Sequence, residues 1–236
     1  MLIALPELFN CLAEPPTIVE QAEVIPGPTS ETKSNLAAEL QVTLVAGSIA
    51  QHADQSGKVY NTSLLFGPDG CELARYRKIH LFDIDLPGQV TFQESALMVP
   101  GDQIVVTETA IAVVGQATCY DLRFPELFRS LVGEGANVFV IPSAFTMATG
   151  RDHWQVLLQA RAIENQVYLI APNQFGRHTE RIHTYGHSMI IDPWGTVLAA
   201  APDGEGMITA EIDFDRQAEI RSRLPCLNHR REFLGK

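Results

Sequence analysis

The feature that most constrains this chain is its cadence. Short apolar runs rich in β-branched residues recur from one end to the other, with only a few helical stretches between them. Such runs, bounded by Gly, Pro, Asp and Asn, read as strands. They fall at Leu2–Leu5, Val42–Ile49, Ser63–Phe66, Ile104–Val106, Ile111–Ala117, Val138–Ile141, Val167–Ala171, Ser188–Ile191, Val197–Ala200 and Met207–Ile212. Helices are expected over about Glu31–Gln41 behind Thr29 and Ser30, Pro125–Gly133 with its early proline, His153–Asn165 and Asp215–Arg223. Gly67-Pro68-Asp69-Gly70, Pro87-Gly88, Asp192-Pro193-Trp194-Gly195 and Asp203-Gly204 supply the turns. No repeat, low-complexity tract or Gly/Ser linker divides residues 1–236, so one domain is expected. Many strands with interspersed helices point to an α/β sandwich whose sheets carry helices on their outer faces.

Composition narrows the function classes. Hydrophobic residues make up 46% and charged residues 19%, a globular balance. With 17 basic against 28 acidic residues the net charge is -11, and no Lys/Arg block interrupts it. That balance excludes the electrostatic footprint of a nucleic-acid binder and suits no anionic membrane surface. No apolar run reaches the roughly eighteen residues of a spanning helix. The opening MLIALPELFN has no basic stretch and meets Glu7 too early for a signal peptide. A soluble, cytoplasmic protein is expected. Cys11, Cys71, Cys119 and Cys226 lie far apart with no CxxC pair, so neither a metal nor a redox cofactor is expected. Each is then a packing thiol or a nucleophile.

Cys119 stands out because an apolar strand ends there and a helix opens at Pro125. A side chain at such a turn is pushed out at the sheet end beside free backbone N–H groups. Helix N-termini lower a thiol pKa, and spare N–H donors can hold an oxyanion. On that reasoning Cys119 labels with electrophiles at neutral pH faster than the other three thiols. A lone cysteine is more commonly a small core hydrophobe, so this turn does not decide the matter alone. Lys78, in Tyr76-Arg77-Lys78-Ile79-His80-Leu81-Phe82, lies between a strand-like segment and a loop. An apolar context there requires a paired ammonium, although most lysines are solvated. Glu7, in Leu5-Pro6-Glu7-Leu8-Phe9, is a carboxylate among apolar residues at a strand end. That is the setting of a general base, or of a structural acceptor of backbone hydrogen bonds.

Taken in order, Glu in LPELF, Lys in YRKIHLFD and Cys in CYDLRFPEL resemble the nitrilase superfamily of carbon–nitrogen hydrolases. The resemblance continues through HWQVLLQARAIENQVYLIA and YGHSMIIDPWG and so covers essentially the whole chain. It implies a four-layer αββα sandwich that pairs across a homodimer, with a Glu–Lys–Cys site at Glu7, Lys78 and Cys119. The family's additional carboxylate falls on Glu94, sixteen residues after Lys78. The implied chemistry needs no metal. Glu7 takes the thiol proton, Cys119 attacks an amide carbonyl, and Lys78 with the Tyr120 N–H stabilises the oxyanion before water hydrolyses the thioester. Glu94 positions Lys78 or the incoming water.

Two subgroups share the resemblance. KIHLFDIDLPGQVTFQES is similar to the omega-amidases that act on 2-oxoglutaramate, and NQFGRHTERIHTYGHSMIIDPWGTVLA to the deaminated-glutathione amidases. Both cleave the distal amide of a 2-oxoglutaryl unit, releasing ammonia or cysteinylglycine. Other readings are a broad aliphatic amidase, a carbamoyl-amide hydrolase, or a non-catalytic truncated member. An anionic 2-oxo acid calls for Arg123 beside the nucleophile, then Ser143, Phe145, Thr146 and His153, with Arg177 and His178 for a peptide-like leaving group. A structural Arg123–Glu126 ion pair is an equal alternative. The family carries a strand and a helix ahead of the glutamate segment. This chain is read as lacking both, which leaves Leu2–Leu5 a buried strand with nothing before it.

Overall fold

The computed structural model describes residues 1–53, 57–88 and 90–231. The chain opens on β1 (Leu2–Ala4), which is half-buried rather than buried, and continues through helices α1 (Pro15–Glu20) and α2 (Pro28–Leu40). With β2 (Thr43–His52), β3 (Val59–Phe66) and β4 (Glu72–Arg77) it forms a four-stranded sheet in chain order. Pairing is parallel between β1 and β2 and antiparallel beyond. A hairpin of β5 (Asp83–Leu86) and β6 (Val90–Gln93) follows. The second sheet then collects β7 (Val105–Glu108), β8 (Val113–Gln116), β9 (Val138–Val140) and β10 (Tyr168–Ala171). Its parallel centre, β8–β9–β10, needs helical crossovers. These are α3 (Pro125–Gly133) and α4 (Met147–Asn165). A second hairpin, β11 (Phe175–Arg177) with β12 (His183–Tyr185), precedes β13 (Met189–Ile191) and β14 (Val197–Ala200). Strand order is β14-β13-β10-β9-β8-β7, and α5 (Phe214–Arg223) closes the chain's helices.

Residue parity sets the layers, since successive strand side chains point to opposite faces. Leu44, Ala46, Leu64 and Phe66 face Ala37 of α2. Their neighbours Val45 and Leu65 face Val114, Val138, Val140 and Tyr168 of the second sheet. Phe139, Ile141, Leu169 and Ala171 face the opposite way, onto Leu127, Phe128 and Leu131 of α3 and Trp154, Leu158 and Ala162 of α4. The result is the expected α/β sandwich with four layers, helix, sheet, sheet and helix.

Helix boundaries follow their caps. α3 begins at Pro125, as its sequence indicates. α4 begins at Met147, earlier than expected, because the Thr146 side chain caps the Thr149 N–H. The Asp213 carboxylate caps α5 through Asp215 and Arg216 at 2.9 and 3.1 Å. The expected strand Met207–Ile212 is absent. Met207 is 85% exposed, and the segment's tie to the fold is Ile212, packed on the inter-sheet core. A run of that kind becomes a strand only where a partner edge is in register with it. Ile111–Ala117 shortens to Val113–Gln116 because Thr109 bonds back to Ala112 and turns the chain.

Candidate active site

Two sheets contribute to one cluster. Glu7 follows β1 and Lys78 follows β4 on the four-stranded sheet, whereas Cys119 follows β8 on the other. The Glu7 loop is held from below by Gly47 of β2, whose φ is +56° and where a Cβ would fall 2.2 Å from the Pro6 carbonyl oxygen. The Leu8 N–H donates to Ser48 Oγ at 3.0 Å. From the second sheet, Gln174 Nε2 donates to the Glu7 carbonyl at 3.0 Å.

Lys78 Nζ donates to Glu7 Oε1 at 2.9 Å and to Glu94 Oε1 and Oε2 at 3.1 and 2.9 Å. The lysine side chain is 2% exposed and each carboxylate side chain 5%. Asn61 Nδ2 adds a bond to Glu7 Oε1 at 2.8 Å, and the Phe82 N–H donates to Glu94 Oε2. Burial pulls the Lys78 ammonium down, but the charges of Glu7, then Glu94, outweigh it and hold it well above the ordinary lysine value. Burial, only partly opposed by Lys78, raises Glu94.

Cys119 adopts a left-handed backbone, φ +47°. Its N–H donates to Pro142 O at 2.9 Å, so that group is not an oxyanion donor. The thiol is buried, with the Glu7 carboxylate and the Ala144 N–H as its polar neighbours. Burial first, then the Glu7 charge, raises the Cys119 pKa well above the usual thiol value, and Lys78 offsets this only in part. This corrects the expectation of a lowered pKa. A short 3-10 turn opens at Cys119, but desolvation and a facing carboxylate dominate it. A thiol shifted in this direction is neutral at pH 7, with a carboxylate beside it.

Beside the thiol is an open pocket of about 220 Å³, lined by Phe82, Cys119, Tyr120, Arg123, Ala144, Phe145, Thr146 and Thr149. The Arg123 guanidinium stands 5.7 Å from the Tyr120 ring and 5.4 Å from the Phe145 ring. Its Nη1 is 3.2 Å from His153 Nδ1, and among the described residues it makes no ion pair with Glu126. Ser143 is not in the lining. It is fully buried, its hydroxyl donates to the Ile141 carbonyl, and its backbone bonds Pro172 and Gln174. His153 reaches the pocket only through Arg123. Arg177 bonds Thr179, and His178 is paired with Thr184 in the β11–β12 hairpin. Asp192-Pro193-Trp194-Gly195 is the turn between β13 and β14, as its composition indicates. Sequence reasoning passed over Asn61, Phe82, Ala144, Thr149, Tyr76 and Asp121. The signals available were motif membership: Asp121 in CYDLRFPEL with the cysteine, and Tyr76 and Phe82 in YRKIHLFD with the lysine.

The sequence matches a family model described as carbon–nitrogen hydrolase over residues 1–222. It is 48% identical over 232 residues to a deaminated glutathione amidase of Synechocystis, covering 97% of this chain and 85% of that protein. It is 44% identical over 233 residues to omega-amidase NIT2 of Xenopus tropicalis, covering 99% and 84%. The fold superposes on the crystal structure of Nit3 from Saccharomyces cerevisiae, a member of the nitrilase superfamily. The TM-score is 0.86 and identity 35%, over 95% of this chain and 80% of that one.

Proposed function

The chain belongs to the carbon–nitrogen hydrolase family, and from that premise we propose that it hydrolyses the distal amide of a 2-oxoglutaryl compound, deaminated glutathione or 2-oxoglutaramate, through a Cys119 thioester. The observation that carries the reading is the buried Glu7 carboxylate, bonded to the Lys78 ammonium and set against the Cys119 thiol at the edge of an open pocket. Relatives at 44 to 48% identity named for these two activities supply the substrate class.

The steps follow from the geometry. Glu7 takes the thiol proton as sulfur bonds to the amide carbon, so thiolate forms only as the carbonyl π bond opens. The oxygen that gains charge is met by the Tyr120 N–H and by the Lys78 hydrogen that Glu7 releases as it takes up the thiol proton. Glu7 returns the proton to the departing nitrogen, the C–N bond breaks, and an acyl thioester remains. Water then adds to the thioester carbon, giving its proton to Glu7, and Cys119 leaves as the thiol. Glu94 keeps Lys78 protonated and aimed, with the Phe82 N–H and two lysine hydrogens on its own oxygens. Arg123, braced by Tyr120, Phe145 and His153, meets the carboxylate of the oxo acid across Thr146.

We also read the chain as a cytoplasmic homodimer. Its described cysteines are all free thiols, as a reducing compartment favours. Val156 and Ile163 of α4 and Trp194 and Leu198 around the β13–β14 turn are exposed. Sedimentation velocity reads the assembly.

The test of function is release of 2-oxoglutarate from 2-oxoglutaramate and deaminated glutathione, side by side, with Cys119→Ala as control. Turnover of one or both by the wild type alone supports the reading, and the preferred substrate identifies the leaving group. Equal turnover of simple aliphatic amides, or activity surviving in C119A, overturns it.

A further inference from the structure

Lys78 and Cys119 sit on different sheets, so something must fix their separation. The inter-sheet core near them is apolar and non-directional. Outside the reacting groups, a buried carboxylate, Asp121, ties the backbone beside Cys119 to the residues on both sides of Lys78. Its Oδ2 accepts from the Thr118 N–H at 2.8 Å, the residue before the nucleophile, and from Tyr76 Oη at 2.6 Å. Its Oδ1 accepts from the His80 N–H at 2.9 Å and from His80 Nδ1 at 2.7 Å. Tyr76 and His80 flank Lys78 on either side. Asp121 is 0% exposed, and its own N–H returns to Thr118 O at 3.0 Å, closing the turn that carries Cys119. The His80 ring is stacked on Phe124 at 3.7 Å and 7°, locking the same strand end to the same turn a second time.

We propose that Asp121 is a positioning residue: with Tyr76 and His80 as its arms, it sets the Lys78 ammonium against the Cys119 sulfur across the two sheets. The assignment rests on the amidase reading for its consequence in turnover, but not for its geometry. Four donors converge on one carboxylate, three from the residues flanking Lys78 and one from the residue before Cys119, and none of them belongs to the reacting groups. Such a residue touches no substrate and acts by holding the near-attack arrangement, where a displacement of about 1 Å costs on the order of a hundredfold in rate.

Two variants test it. Asp121→Asn keeps the shape but puts an NH2 where two donors converge, so one arm must let go. Tyr76→Phe removes one hydrogen bond to the carboxylate and preserves the buried ring, so it reports even where D121N is insoluble. The expected result for folded D121N is a kcat lower by about a hundredfold with KM little changed. Y76F is expected to lose about tenfold, the scale of one hydrogen bond to a charged acceptor.

The second readout uses no amide substrate. Iodoacetamide labelling of Cys119 at fixed pH reports the charges around the sulfur. Lys78 lowers the thiol pKa, so a lysine no longer held in place leaves the thiol higher and labelling slower, about tenfold for each pKa unit. A residue that merely keeps the fold closed has the opposite signature, because loosening exposes the sulfur and speeds labelling. Slower labelling together with reduced kcat supports the proposal. Faster or unchanged labelling, or wild-type kcat in a folded variant, overturns it. If the wild type hydrolyses neither 2-oxoglutaryl amide, the labelling comparison still decides the role of Asp121, so the two readings fail separately.

Discussion

At the residue scale, Lys78 bears on stability as well as on the proposed chemistry, because it is a cation between two carboxylates that water barely reaches. Removing one partner from a buried ionic group costs about 3–5 kcal/mol, since the charge left behind is uncompensated. Lys78→Ala is therefore expected to lose turnover and to melt roughly 10 °C lower, read by calorimetry. The deficit should shrink on acidification, as one of the two abandoned carboxylates takes up a proton. In the wild type the sign is opposite. The Lys78 pKa is raised on folding, so its stabilisation is fully present below the ordinary lysine value of 10.5 and is lost as pH climbs through the higher folded value. Cys119→Ala keeps the ion trio and should keep the melting temperature while abolishing product release. Labelling of wild-type Cys119 without substrate should be slow at pH 7 and rise only above the ordinary thiol range, about pH 8.5. A fast phase at neutral pH assignable to Cys119 would contradict a resting thiol.

At the scale of elements, two glycines behave in opposite ways. Gly47 has φ +56° and its missing Cβ would lie 2.2 Å from the Pro6 oxygen. Gly47→Ala thus forces strain on the order of 3 kcal/mol into the loop that aims Glu7, and activity should fall more than the folded fraction does. Gly133 ends α3 with nothing within 4 Å of a built Cβ. Gly133→Ala should stabilise by about 0.5–1 kcal/mol in urea titration without touching the rate. A third glycine explains a boundary. Gly150 lies inside α4, before the expected start at His153, and Tyr185 packs where its Cβ would be, with the Tyr185 Cβ 2.4 Å from that point. The central strands were legible because both their faces are apolar. β4, reading ELARYR, registered only as a strand-like segment ahead of Lys78, since it carries charge on an edge. The β5–β6 and β11–β12 hairpins were too short for any period to register. In the site, Glu7, Lys78, Glu94 and Cys119 were legible through ordered motifs. Asn61 and Asp121 were not, because their meaning lies in partners 54 and 41–45 residues away in the chain.

Across the whole molecule, the reacting groups are divided between two sheets that face each other through Val45, Leu65, Val114, Val138, Val140 and Tyr168. Each sheet has its own helical cover, so relative slip of the two requires less than the loss of either. Activity should therefore disappear at a lower urea concentration than far-UV circular dichroism, as expected when a site spans two cooperative units. Coincident midpoints would mean that the sheets separate only on global unfolding. The neutral thiol at the centre also bears on how long the protein lasts. Peroxides and stray electrophiles consume thiolates, climbing from sulfenic to irreversible sulfinic and sulfonic acids. A sulfur that becomes anionic only while an acyl group is being transferred offers those oxidants almost no target between turnovers, so idle copies stay competent through oxidative episodes.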